Sequence, residues 1–420
     1  MSEKNNVKPK VAVIGGARTP FAKANTTLKQ YSALELGTHS VNGALEKLNL
    51  DPADIDQLAY GVVVVDPTIP HMAREINFKS QLPSEVQALT ITDNCISGTS
   101  AIASVHDAIV TGRSNAGIAG GVDSMSNPPV LFKKRAGRIF LSAAAARSFG
   151  EKARILSRLR PKDFAPWAYG VAEPSTGLTM GEHTEISVKE WEITQDEQDK
   201  IAFGSHQHAH IATEDGRLVA EIHPLDGIDR DTLIRPDTSL EILAKLPPVF
   251  DRSDAGTITA GNSSPLTDGA ASVVLMSKAR AVELGHEPLA YIKDFINVGI
   301  DPKDGLLMGP GVAVPRLLRK NGLTLDDLDL IEMHEAFGGQ VASNLKAWEQ
   351  GWKEPAIGTV NRDILNVRGS SIAIGHPFAA TGARIVLTLA NEMKLRDARY
   401  GLVSICGAGA TAVAMLLERA

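Results

Sequence analysis

Apolar and polar positions along the chain fall into two series that run in the same order. The stretch Ala44–Leu58 (ALEKLNLDPADIDQL) matches Leu317–Ile331 (LLRKNGLTLDDLDLI). Each reads as a helix end, a leucine, an acidic turn and a strand start. Leu50 pairs with Leu323, Asp54 with Asp327, Ile55 with Leu328 and Asp56 with Asp329. Extended apolar segments come next, Tyr60–Val65 in one series and Leu330–Met333 in the other. Then Ser97–Met125 matches Thr381–Thr411: a small-residue helix start, about four helical turns, then Arg113 or Arg396 and a strand entered at Gly117 or Gly401. The last pair, Ala271–Ser277 and Ala412–Glu418, reads as buried strands.

The final two pieces nearly touch in the second series. In the first they are separated by a long stretch from roughly Met125 to Ala270. Strands alternating with helices predict an α/β protein with mainly parallel strands. Collinear repeats predict two pseudo-twofold-related halves, the first carrying an insertion. The expected boundaries are 1–127 with 255–283 for the N-terminal half, 128–254 for the inserted domain and 284–420 for the C-terminal half.

Charge and composition narrow the function. Forty-three Lys+Arg against 49 Asp+Glu give a net charge of −6, which argues against nucleic-acid binding through a broadly basic surface. At 5% aromatic residues, a base-stacking platform is not expected either. No apolar run reaches the ~18–20 residues of a spanning helix. Met1–Lys10 is hydrophilic and lacks a signal-like apolar core, so a cytoplasmic protein is expected. Two cysteines make a disulfide framework impossible. One segment departs from the acidic average: Leu131–Ala165 holds ten basic residues against Glu151 and Asp163, with Ile139, Phe140, Phe149, Ile155, Leu156 and Leu159 between them. It reads as basic amphipathic helix with a break near Gly150. Two readings stand: a solvated surface, or a contact with an acidic partner, an anionic ligand or a membrane.

The candidate chemistry sits in small-residue loops. Cys95, in Asp93-Asn94-Cys95-Ile96-Ser97-Gly98-Thr99, precedes a helix, where unpaired N–H groups and the helix dipole would lower a thiol pKa. His376, in Gly375-His376-Pro377-Phe378, holds the matching place in the second series, so a pseudo-twofold would bring the two together as nucleophile and base. Cys406 ends a strand and enters Gly407-Ala408-Gly409-Ala410, a loop whose N–H groups can bind an oxyanion. His334 follows Leu330–Met333. A core thiol and a capping histidine are the plainer readings of the last two. His206, His208 and His210 look like metal ligands, but on a helix alternate positions diverge, so no metal site is expected. There is no phosphate-binding P-loop, and Gly15-Gly16-Ala17-Arg18, after a strand, lacks the dinucleotide spacing. A thiolate that carries an acyl group, a second thiol that moves a proton at carbon, and donors for two oxyanions amount to carbon–carbon bond formation or cleavage between acyl thioesters.

These residues resemble the thiolase family of acetyl-CoA acyltransferases over nearly the whole chain. The resemblance rests on Val13-Ile14-Gly15-Gly16-Ala17-Arg18-Thr19-Pro20-Phe21, Met180-Gly181-Glu182, Ala260-Gly261-Asn262-Ser263-Ser264-Pro265-Leu266-Thr267-Asp268-Gly269-Ala270 and Cys406-Gly407-Ala408-Gly409. It implies two βαβαβαββ halves with an inserted loop domain and a homodimer or homotetramer. It implies Cys95 as the acylated nucleophile, His376 as its activator and Cys406 as the second acid/base. One oxyanion hole would involve His334 and His376; the other, the N–H groups of Cys95 and Ala408. Met180, Arg235 and Ser264 match coenzyme A contacts. His-Glu-Ala-Phe at 334–337, where many thiolases have Asn first, resembles the thiolase subunits of the trifunctional complexes of fatty-acid oxidation. Asp93-Asn94 departs from that branch, which often has Ser-Arg, and Ala408 replaces a common glycine. The implied activity is 3-ketoacyl-CoA thiolysis by a ping-pong mechanism, with coenzyme A as substrate and no cofactor. Implied partners are acyl-CoA and CoA and, through 131–165, a complex's alpha subunit or an anionic membrane. The alternatives are a biosynthetic acetyl-CoA acetyltransferase, a decarboxylating condensing enzyme, against which Cys406 argues, and a non-catalytic acyl-CoA-binding protein.

Overall fold

The computed structural model describes residues 9–165 and 172–420; the first eight residues, and residues 166–171 of the expected inserted domain, lie outside the described ones. The strands are β1 (Val11–Arg18), β2 (Ala22–Lys23), β3 (Gln57–Val62), β4 (Gln87–Ile91), β5 (Ala116–Asp123), β6 (Thr267–Ser277), β7 (Ala290–Gly299), β8 (Leu330–Met333), β9 (Tyr400–Gly407) and β10 (Thr411–Arg419). They form one sheet in the order β4-β3-β5-β6-β1-β7-β10-β9-β8, with β2 beside β6.

The repeat seen in the sequence is a repeat of pairing. In the first half β1 pairs antiparallel with β6, β6 antiparallel with β5, and β5 parallel with β3. In the second half β7 pairs antiparallel with β10, β10 antiparallel with β9, and β9 parallel with β8. The halves join where Val11–Val13 of β1 meets Ala290–Ile292 of β7. The expectation of mainly parallel strands is therefore corrected. Each half closes with two strands antiparallel to their neighbours, and parallel pairing is confined to β4-β3-β5 and β8-β9. Gly15 to Arg18 lie within β1 and pair with Val274 to Ala271, so they form no loop after a strand.

Helices Ser97–Val110 and Ala380–Arg396 hold equivalent places and pack on each other. Glycine makes this possible. A Cβ on Gly98 would stand 2.6 Å from the Ala379 carbonyl oxygen, and one on Gly382 would stand 2.6 Å from the Thr99 nitrogen. Their apolar faces share one core with Val13, Val273, Ile292 and Met415, while each half keeps a further core on its other face. Burial of this kind, at ~25 cal/mol per Å2 of apolar surface, is the main force holding the halves together.

The chain between β5 and β6 carries helices Lys134–Ala145, Phe149–Leu156, Met180–Glu190 and Gln195–Glu214. The latter two pack on Gly338–Gln350. The basic helices break over 146–148, just ahead of Gly150. The Ser148 side chain caps the second helix by accepting from the Glu151 N–H, which places Gly150 inside it. Leu141 is 74% exposed and Phe149 87%. No helix among the described residues is long and apolar enough to cross a membrane.

Candidate active site

Cys95 sits in the turn between β4 and the Ser97–Val110 helix. Asn94 adopts a left-handed backbone, φ 48°. The turn is closed by the Asp93 N–H on Ser97 Oγ (2.8 Å), the Ser97 hydroxyl on the Asn94 carbonyl (2.7 Å) and the Ser100 hydroxyl on Asp93 Oδ2 (2.7 Å). His376 lies in the loop ahead of the equivalent helix, its N–H bonded to Thr267 Oγ1 at 3.0 Å. Cys95 stands two residues, and His376 four, before its helix. Their side chains meet, with His376 Nε2 3.3 Å from Cys95 Sγ.

The His376 tautomer follows from hydrogen-bond accounting. Nδ1 lies 2.6 Å from Thr381 Oγ1, whose own hydroxyl donates to the Pro377 carbonyl at 3.0 Å. Thr381 can then only accept from the ring, so Nδ1 carries the proton and Nε2 presents its lone pair to the thiol. Burial, with help from Arg384, lowers the His376 pKa to about 3 and keeps the ring neutral. The thiol does not behave as its helix-terminal place predicts. Burial pushes Cys95 up to about 12, against the N–H of Ala408; the Asp123 charge adds to the rise, and the thiol's own backbone N–H opposes it. Desolvation outweighs the helix terminus, so the resting pair is a neutral thiol beside a neutral imidazole.

His334 lies behind this pair, its ring centroid 4.1 Å from that of His376. Nδ1 is 2.8 Å from Ser371 Oγ, and Arg384 Nη2 donates to the same oxygen at 3.1 Å. Nε2 is buried with no hydrogen-bond partner. Ser371 Oγ has Arg384 and the His334 ring as its partners; Arg384 can only donate, so the serine proton points at Nδ1 and Nε2–H is left as a free donor. Burial, His376 and Arg384 hold the His334 pKa well below its usual value. The neighbouring Glu335 is turned away, accepting from Ser205 Oγ (2.7 Å), Asn366 Nδ2 (2.7 Å) and the Ile372 N–H (3.2 Å). Cys406, near the end of β9, is fully buried; desolvation and then Cys95 raise its pKa far above normal. It holds its proton at rest.

These groups open onto one cavity of about 610 Å3, a volume suited to a small organic ligand. Cys95, His334, His376, Cys406, Ala408, Met180 and Ser264 all line it, and Phe250, Leu307, Phe337 and Phe378 make its walls apolar. Arg235 is not among them. It lies in an adjoining cavity that shares Phe250, Ser263 and Ser264 with the first. The sequence offered no signal for Asp123, whose buried carboxylate accepts from the N–H groups of Val63 (3.0 Å), Val64 (2.7 Å) and Ala379 (2.7 Å) and so ties the two halves beside the thiol. Thr381 opened one of the repeated stretches but pointed to no role, and Ser371 stood in no motif. The histidines of Gln195–Glu214 diverge as expected: His206 Nδ1 accepts from the Arg235 N–H, and His208 Nδ1 meets the Asn366 carbonyl. Among the described residues no three His, Cys, Asp or Glu side chains gather to hold a metal ion.

Comparison with known proteins gives a consistent result. The family model "Thiolase, N-terminal domain" matches residues 11–279, and "Thiolase, C-terminal domain" matches residues 286–419. The chain is 41% identical to a 3-ketoacyl-CoA thiolase of Colwellia psychrerythraea over 422 residues, 97% of each protein. It is 42% identical to one of Pseudoalteromonas translucida over 437 residues, 100% of each. Among solved structures, an acetyl-CoA acetyltransferase of Bacillus anthracis superposes with a TM-score of 0.85 at 31% identity, covering 99% of this chain and 100% of the other. Human mitochondrial 3-ketoacyl-CoA thiolase in complex with CoA gives 0.83 at 28% identity over 98% of both.

Proposed function

The chain belongs to the thiolase family, and on that premise we propose that this acyltransferase cleaves 3-ketoacyl-CoA with coenzyme A, giving acetyl-CoA and a shortened acyl-CoA. The observation that carries the reading is the Cys95–His376 contact in a cavity that also holds a second, protonated thiol, Cys406. A decarboxylating condensing enzyme has no use for that second thiol.

The steps follow from the protons. His376 Nε2 takes the Cys95 proton as sulfur attacks the keto carbon, and the Nε2–H of His334 faces the oxygen that gains charge. Collapse breaks the bond between the α-carbon and the keto carbon, and the Cys406 thiol protonates that α-carbon as acetyl-CoA leaves. The Cys95 thioester remains. Incoming CoA gives its thiol proton to the Cys406 thiolate and attacks the thioester. The oxyanion formed now faces the N–H groups of Cys95 and Ala408. Cys95 leaves and recovers its proton from His376, so every group returns to its starting state. Coenzyme A enters as a substrate, and the scheme requires no resident cofactor. Met180 and Ser264 line the path of the thioester arm, with Arg235 further out towards the CoA phosphates.

Oligomerisation as a dimer or tetramer belongs to the same reading, as does a cytoplasmic location, in keeping with two unpaired cysteines at the site. The basic helices of 131–165, with Leu141 and Phe149 exposed among the cations, suit contact with an anionic membrane surface. The activity test is loss of absorbance of a 3-ketoacyl-CoA–magnesium complex on adding CoA, across a chain-length series. Turnover with acetoacetyl-CoA alone would favour the biosynthetic acetyltransferase instead. Binding without turnover at any length would remove the catalytic reading.

A further inference from the structure

The loop after Cys406 is held from two sides by residues outside the catalytic set. Asn94 Nδ2 donates to the Ala408 carbonyl at 2.9 Å. The Gly409 N–H donates to Glu173 Oε2 at 2.8 Å. The Ala408 carbonyl and the Gly409 N–H belong to the same peptide group, and a peptide group is planar and rigid. One residue therefore grips the oxygen end of that plane and another the nitrogen end. Thr411 Oγ1 adds a longer contact to the same carbonyl at 3.2 Å.

We propose that Asn94 and Glu173 are positioning residues that clamp the Ala408–Gly409 peptide and so aim the Ala408 N–H at the charge that develops beside Cys95. This rests on the thiolase reading for the reaction it serves. On the N-terminal side of Ala408, Gly407 is fixed by its ladder with Thr411. On the C-terminal side, the clamp fixes the plane of the Ala408–Gly409 peptide. Ala408 between them has little rotational freedom, so the direction of its N–H is set by partners rather than by the loop itself. The loop needs such support, because Gly409 (φ 77°) and Ala410 (φ 55°) are both left-handed and the second carries a Cβ. Glu173 also occupies the Gly409 N–H, leaving that of Ala408 to act on the sulfur.

Both gripping residues are themselves anchored. Asn94 lies in the closed turn of the nucleophile, so any movement of that turn reaches the opposing loop. Glu173 is 8% exposed. Its own N–H donates to the Leu178 carbonyl at 2.8 Å, its carbonyl accepts from the Gly177 N–H at 2.7 Å, and its Oε1 accepts from the Ser175 hydroxyl at 3.0 Å. The inserted segment, which also lends Met180 and Phe250 to the cavity wall, thus holds the loop after Cys406 through the Glu173 carboxylate.

The test compares Asn94→Ala, Glu173→Ala and Glu173→Gln with the wild-type chain. Three quantities are read: the pH profile of Cys95 alkylation by iodoacetamide, tracked by mass spectrometry; single-turnover acylation by acetyl-CoA; and the melting temperature. Both alanine variants are expected to shift the alkylation profile to higher pH and to slow acylation by ~10–100-fold, as a misaligned oxyanion donor should. Glu173→Gln keeps an accepting oxygen and should stay within about threefold of wild type. Wild-type profiles and rates in both alanine variants would overturn the clamp. So would lower melting with an unmoved profile, which marks a structural role alone, or a glutamine variant as slow as the alanine. The alkylation arm needs no substrate. If the wild-type chain cleaves no 3-ketoacyl-CoA, the proposed function fails while this arm still decides the clamp.

Discussion

His334 and His376 lie with ring centroids 4.1 Å apart, yet their hydrogen-bond partners give them opposite chemical faces. A threonine whose proton is already committed leaves His376 Nε2 as an acceptor. A serine whose other partner, Arg384, can only donate turns its hydroxyl to His334 Nδ1 and leaves Nε2 as a donor. Two identical side chains in one cavity are thereby separated into a base and a donor by their second nitrogen.

Replacing the serine should remove this distinction. Ser371→Ala is expected to lower kcat by about tenfold with little change in KM, because the lost alignment matters only when the oxyanion forms. A stability loss of ~1–3 kcal/mol should accompany it, from the polar groups left buried without a partner. Steady-state kinetics beside urea unfolding separates the two effects. A KM increase at constant kcat would show that Ser371 shapes the cavity instead.

Cys95→Ser should reduce turnover by several orders of magnitude, since a hydroxyl gives far less anion than a thiol beside the same imidazole. In the wild-type chain iodoacetamide should modify Cys95 first, and acyl-CoA should protect it. Modification of Cys406 with Cys95 intact would exchange their assignments.

Cys406→Ala should still accept an acyl group from acyl-CoA, though more slowly, because Cys95 and His376 are unchanged while the departing CoA thiolate, a good leaving group, loses only its proton donor. It should fail at the carbon–carbon step, which needs a proton at the α-carbon. Intact-mass spectrometry should find a stable acyl-enzyme. Loss of acylation in a folded protein would show that Cys95 and His376 cannot form the thioester without the Cys406 proton.

A buried histidine away from the reaction should make stability depend on pH. Burial lowers His206 to about 4, with Arg235 adding to the effect and Asp237 opposing it. The unfolded chain then binds the extra proton below about pH 6.5 while the folded chain does not. Stability from this group is full above that pH and falls as pH drops towards 4. Relative to His206→Gln, the wild-type chain should lose on the order of 2 kcal/mol between pH 7 and pH 4.5, measured by urea unfolding. Parallel curves for the two proteins would remove the effect.

Arg147, Arg154 and Arg158 replaced by Glu should abolish flotation with anionic liposomes while leaving short-chain thiolysis unchanged, because the cavity lies elsewhere. Wild-type binding should weaken with salt as the Debye length falls from ~10 Å at 0.1 M to ~3 Å at 1 M. Capture of an acidic partner subunit without liposome binding would reassign the surface to a protein contact. Binding of neither would make it a solvated face. Lost turnover with binding retained would place these arginines at the CoA phosphates.

Much of the site was legible because thiolase chemistry concentrates in short small-residue loops. Cys95, His376 and Cys406 each announce themselves by a local motif, and the repeat places the first two opposite each other. Strand direction was less legible: alternating helices and strands suggest parallel pairing, and only the structure shows β5–β6 and β9–β10 running antiparallel. The thiol pKa was misjudged because a helix terminus is visible in sequence and desolvation is not. Asn94 and Glu173 carried no signal, since their partners lie 314 and 236 positions away.

The Cys95–His376 contact spans 281 positions, and Asp123 meets Ala379 across 256. During synthesis the nucleophile therefore emerges long before the base that activates it and the loop that receives its charge. A growing chain carries only an ordinary cysteine. Catalytic activation arrives with the closing segment, when the second half docks on the first, so a chain that stops before His376 has the thiol but no base to take its proton.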